Sequence, residues 1–112
     1  MLYEIRNYHF NPELFEDYKA WARSEAGPYL RDQLDIVGFW LDSGIPTELN
    51  GEPLDALGSA NITWIIRWQD MAQREAEFEA TLGSPEWTDI FSRVPGGIDS
   101  YLRREAKFFE EL

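Results

Sequence analysis

Along this chain the spacing of apolar residues switches between about two and about three and a half, and the order of the switches leaves few folds open. Residues 2–10, LYEIRNYHF, alternate as a strand does. Asn11 then offers a helix cap, Pro12 suits a first helical position, and Glu13 and Glu16 sit where a helix dipole is positive. Leu14, Tyr18 and Trp21 continue at helical spacing, and the Gly27–Pro28 pair predicts a break or kink before a shorter turn through Leu30 and Leu34. DIVGFWLD is a second strand, apolar enough on both faces to predict burial on both. NITWIIRWQ is a third, with Ile62, Trp64, Ile66 and Trp68 on one face. Asp70 and Gln73 form a capping box for the next helix, whose expected buried stripe is Met71, Phe78 and Leu82. Gly83 stops it, and Ser84 and Pro85 start another whose apolar side is Trp87, Ile90, Phe91 and Val94. The last segment, IDSYLRREAKFFEEL, fits a helix better than a strand on local pattern.

The order strand, helix, strand, strand, helix, final segment is that of a ferredoxin-like α+β domain, and 112 residues hold one such domain, 1–112, and no second. Residues 43–59, rich in Gly, Pro and polar types, form a long loop that is either functional or a surface insertion.

Composition excludes several functions. With 21 acidic and 10 basic residues the formal charge is −11, which disfavours nucleic acid and anionic membranes as partners. There is no cysteine and a single histidine, His9, so no thiolate metal site, Cys nucleophile or haem site is expected, and we expect no metal and no cofactor. No Gly-rich phosphate cradle follows a strand. No run approaches a membrane span and Met1 leads directly into a strand, so a cytoplasmic protein is expected.

Several stretches resemble the NIPSNAP family. MLYEIRNYHF is similar to that family's opening run of Tyr, Glu, an aliphatic residue, Arg and a further Tyr. VGFW resembles its second strand, WIIRWQDMAQRE its third strand and second helix start, and SPEW its proline, acidic, tryptophan helix start. The resemblance runs in order over most of the chain except 43–59, which looks longer than the family's usual connection. It implies a four-stranded sheet with helices on one face, the last segment completing the sheet as a strand, and two copies pairing as a dimeric α+β barrel. Leu41 stands where the family often has a histidine, so a mechanism needing that imidazole is not carried over.

Placed in this topology, Tyr3 and Ile5 suit the helix side of strand one. Glu4, Arg6 and Tyr8 then share the other face with Trp64, Trp68 and Trp40. Several Trp facing water would make a patch that soluble monomers avoid, so a homodimer should cover that face and enclose a space between two sheets. Glu4 and Arg6, two apart on one strand face, are either a satisfied ion pair in a dimer core or part of a site. In a site, Arg6 orients an anion, Tyr8 donates a hydrogen bond and Glu4 acts as partner or general base, while Trp40, Trp64 and Trp68 wall a small hydrophobic or aromatic ligand. Three functions follow: a cofactor-independent enzyme of monooxygenase or isomerase type, a non-catalytic binder using the same cavity, or an interaction homodimer. The fold does not choose among them.

Overall fold

The computed structural model describes residues 1–112. Strand β1 (Leu2–Phe10) is followed by a helical run made of a 3₁₀ turn (Pro12–Leu14), α1 (Phe15–Trp21), a π-helical stretch (Ala22–Ala26) and α2 (Gly27–Gln33). Then come β2 (Ile36–Leu41), β3 (Ile62–Trp68), α3 (Met71–Leu82), α4 (Pro85–Phe91), a 3₁₀ turn (Ile98–Ser100) and β4 (Tyr101–Glu110). The four strands form one antiparallel sheet in the order β2-β3-β1-β4, with β1 and β3 central. This is the expected α+β fold with its helices on one face of the sheet. No helix is long and apolar enough to cross a membrane.

The caps read from the sequence form. Asn11 accepts from the Glu13 N–H, Asp70 from Gln73 N at 2.8 Å, and Ser84 from Trp87 N at 3.0 Å. The Gln73 side chain reaches one residue past the cap, its Oε1 accepting from Gln69 N–H.

Three local expectations change. Gly27 and Pro28 do not end the first helical run. The chain widens into the π-helical stretch just before them, and the Gly27 N–H donates to Ala22 O, five residues back. The wider turn carries the helix to a proline that has no N–H to give. Glycine is needed there, because a Cβ on Gly27 would stand 2.6 Å from Ala22 O. Strand β2 is not buried on both faces: a register shift between Ile36 and Gly38 turns Val37 outward, and Trp40 is 52% exposed. On α3, Phe78 is buried while Met71 and Leu82 stay exposed. The final segment is strand β4, as the family resemblance implied and against its local pattern. Nine ladder partners on β1 hold it at the sheet edge, where its polar side chains need no helical spacing.

The largest correction concerns the faces of β1. Glu4, Tyr8 and Phe10, not Tyr3 and Ile5, lie under the helices and are buried with Ile62, Trp64, Ile66 and Trp68. Phe10 packs on Tyr18 of α1 with ring centres 4.6 Å apart, and Trp64 meets Phe78 of α3 at 6.3 Å. Tyr3, Ile5, Asn7 and His9 face the uncovered side, where the Thr63 hydroxyl donates to Asn7 Oδ1 at 2.8 Å and His9 Nδ1 meets Ser59 O at 3.0 Å. The space that the opening stretch looks into is therefore a partly open cavity within one chain, between sheet and helices. It is not a gap between two sheets.

Candidate functional site

Glu4 is the centre of a buried polar cluster. Its carboxylate is wholly buried and accepts four hydrogen bonds. Arg6 Nη1 gives one at 2.6 Å, Trp68 Nε1 one at 3.0 Å, and Arg74 two, from Nε at 3.0 Å and Nη2 at 3.1 Å. The paired donation from Arg74 is the geometry in which a guanidinium holds a carboxylate best. Burial pushes the Glu4 pKa up, but the donors from Arg74, Arg6 and Trp68 outweigh it and hold the carboxyl below its ordinary value. Glu4 is thus ionised and fully occupied, which removes it as a general base and makes it an anchor for two guanidiniums.

Arg6 is held on three sides. Its Nε donates to the Tyr8 hydroxyl, and its guanidinium carbon lies 5.2 Å from the centre of the Phe78 ring, 5.4 Å from Tyr8 and 5.7 Å from Trp64. Two guanidiniums against one carboxylate leave the cluster with one positive charge, inside a protein of net charge −11.

Next to this cluster lies a cavity of about 240 Å³. Arg6, Tyr8 and Trp64 form its sheet wall, Tyr18 and Trp21 approach from α1, Phe78 from α3, and Trp87 and Phe91 from α4. Tyr101 and Arg104 close it from β4, and Arg6 and Arg104 are its two charged lining residues. Burial, and then the neighbouring Tyr101 and Tyr8, push the Tyr18 phenol well above its ordinary pKa. Burial does the same to Tyr101. Both are hydroxyl donors at neutral pH. The cavity therefore offers flat apolar walls, guanidinium charge and O–H and N–H donors, with no free carboxylate or imidazole among its lining residues. No group of three His, Cys, Asp or Glu side chains is placed to hold a metal ion.

Of the residues singled out from the sequence, the structure brings Glu4, Arg6, Tyr8, Trp64 and Trp68 together on the helix side. Arg6, Tyr8 and Trp64 line the cavity, while Glu4 and Trp68 form the hydrogen-bonded layer beside it. Trp40 is not among them. Its ladder partner is Thr63, on the uncovered face, and its ring folds over Gly38, where any Cβ would collide with it. Sequence reasoning missed Arg74, Tyr18, Tyr101 and Arg104. Arg74 left a signal: it occupies a stripe position on α3, four residues before Phe78, where an apolar residue is expected.

No protein-family model matches the chain, and no curated protein matches it in sequence. Solved structures do match in fold. A NIPSNAP domain protein from Burkholderia xenovorans superposes with a TM-score of 0.75 at 17% identity, covering 100% of this chain and 95% of that one. A NIPSNAP family protein of unknown function from Agrobacterium tumefaciens gives 0.73 at 20% identity, over 97% of this chain and 86% of that one. A putative antibiotic biosynthesis monooxygenase from Nitrosomonas europaea gives 0.61 at 10% identity, over 100% and 99%. The chain has the fold of NIPSNAP-family proteins, as the sequence resemblance implied, and a fold neighbouring that of the monooxygenases.

Proposed function

We propose that this protein binds a small aromatic, anionic molecule in the cavity between its sheet and its helices, and that it works as a homodimer through the uncovered sheet face. The observation that carries the first part is the aromatic cavity of about 240 Å³ with the Arg6 guanidinium on its wall. An apolar cavity of ~150 Å³ already holds benzene, so this one has room for a ring and its polar substituent. The likeness to NIPSNAP proteins and to the monooxygenase fold is consistent with a small-molecule site and does not select a reaction. Glu4 is saturated by its four donors, so chemistry here would rest on stabilising an anion beside Arg6 rather than on proton removal by Glu4. The dimer rests on the uncovered face, where Trp40 is 52% and Phe109 47% exposed beside the half-buried Ile5 and Ile65.

The test is Arg6→Leu. Glu4 keeps Arg74 and Trp68 in this variant, so the fold should survive. Loss of a charge-assisted hydrogen bond typically costs about 1.5–3 kcal/mol, so binding of an aromatic acid should fall at least ten-fold by titration calorimetry. A folded Arg6→Leu protein that binds such an acid as the parent does would remove Arg6 from the site. A parent to which neither charged nor neutral aromatic compounds bind would remove the site itself.

A further inference from the structure

Trp64 is 4% exposed, and its Nε1 is the one buried side-chain polar atom in the molecule without a hydrogen-bond partner. An indole N–H can only donate, and leaving a buried donor unmet carries the full cost of its desolvation. The comparison with Trp68 is direct. Four residues on and on the same strand face, Trp68 gives its N–H to Glu4 at 3.0 Å. Trp64 stacks on Phe39 with ring centres 5.2 Å apart, lies under the Arg6 guanidinium, and lines the cavity. Arg6 itself uses Nε on Tyr8 and Nη1 on Glu4, and its Nη2 makes no hydrogen bond to the protein. Two donors on neighbouring residues of the cavity wall thus lack acceptors, and Arg6 and Trp64 are ladder partners on β1 and β3.

We propose that Trp64 Nε1–H is a specificity-determining donor that takes one oxygen of the bound molecule while Arg6 Nη2 takes a charge-bearing oxygen. The ligand is then an aromatic carboxylate or enolate, whose polar end carries lone pairs and no N–H or O–H. An amine or amide nitrogen would bring hydrogens to walls that already supply them. This rests on the reading of the cavity as a binding site, and it adds which atoms select the ligand.

Benzoate, aniline and toluene, three probes of one ring size, test it by titration of the ¹⁵N-labelled protein. The chain has five Trp, and the Trp64 indole signal is assigned from its disappearance in Trp64→Phe. Benzoate should move that N–H signal downfield and bind more tightly than aniline or toluene. Trp64→Phe keeps an aromatic wall without the donor, and it should lower benzoate affinity ten-fold or more while changing toluene affinity by less than about three-fold. Benzoate saturation that leaves the Trp64 indole signal in place, or aniline binding as tightly as benzoate, would overturn the assignment while leaving the cavity a binding site. Failure of all three probes, toluene included, would overturn the binding reading along with it. If Trp64→Phe does not fold, the signal is assigned by through-bond experiments on the parent, and its response to benzoate decides alone.

Discussion

Glu4 and Ile5 are neighbours on β1, yet the charged one is completely buried and the aliphatic one is only half-buried. The covered face spends its polar groups on one another: Glu4, Arg6, Arg74, Trp68 and Tyr8 form a single hydrogen-bonded cluster bordered by aromatic rings. The uncovered face leaves Ile65, Trp40 and Phe109 without a covering layer, among polar pairs such as Thr63 with Asn7 and ion pairs such as Arg67 with Asp35 and Lys107 with Glu105. A carboxylate is stable inside when donors converge on it, and an apolar side chain remains outside when nothing in the chain arrives to cover it. The same four strands thus carry a cavity on one side and a face that no element of the chain covers on the other.

The largest effect separating the two faces should come from Glu4→Leu. It leaves the Arg6 and Arg74 guanidiniums without their shared carboxylate, and breaking a buried ion pair from one side costs about 3–5 kcal/mol. The value should fall near the lower end, because both guanidiniums keep some contact with water. Urea unfolding measures it, and a loss under about 1 kcal/mol would mean the cluster is far less tightly held than its geometry indicates. The pH dependence has a definite sign. The folded carboxyl titrates below its ordinary value of 4.5, so its contribution is complete above that pH and is lost as pH falls through the lowered folded pKa. The stability of the Glu4→Leu variant should fall less steeply than the parent's below about pH 4.5.

On the uncovered face, Ile65→Asp should leave each chain folded and separate the copies. A carboxylate placed against Ile5 and covered by a second copy should weaken association a hundred-fold or more, about 3 kcal/mol. Sedimentation of parent and variant at micromolar concentration measures this. A parent that sediments as a monomer would leave the exposed Trp40 and Phe109 without the partner proposed for them. Trp64→Asp provides the contrast, because Trp64 lies on the covered side and its substitution should unfold the chain rather than part a dimer.

How much of this was readable in the sequence depends on the range over which each feature is decided. The strand alternation of 2–10 and 62–68 and the caps at Asn11, Asp70 and Ser84 are local, and all of them form. On the face of β1 that meets the helices, the carboxylate of Glu4 is met by Arg74, seventy residues away in the chain. From the sequence, Tyr3 and Ile5 read as the set under the helices, and Glu4, Arg6 and Tyr8 as the set facing a second sheet. The grouping of Glu4, Arg6 and Tyr8 with Trp64 and Trp68 was legible because both strands keep a period of two. The cavity's other walls, Tyr18, Tyr101 and Arg104, come from segments that only the tertiary fold places beside them. Strand β4 reads locally as a helix because its burial alternates while its polarity does not: the less exposed set is Tyr101, Arg103 and Glu105.

The smallest expected effect tests where the long loop belongs in this comparison. Residues 43–54 make few anchoring contacts, and Ile45, Leu49 and Leu54 are exposed, whereas the end of the loop is tied to the uncovered face. Arg103 of β4 donates to Asp55 Oδ1 through Nη1 and to Gly58 O through Nη2 at 2.7 Å, and Ser59 O meets His9 of β1. The hydrogen bond from Arg103, with a further one from the Leu57 N–H, lowers the Asp55 pKa, so this tie is intact at neutral pH. Amide exchange should therefore be fastest in 43–54, slower in 55–59 and slowest in Ile62–Trp68. Arg103→Ala should speed exchange in 55–59 and leave the melting midpoint nearly unchanged, since an ion pair near the surface adds little to global stability. Exchange in 43–54 as slow as in β3 would show that the loop's apolar side chains are already covered in solution. The loop would then be part of the dimer seam, and Ile65→Asp should speed its exchange as well.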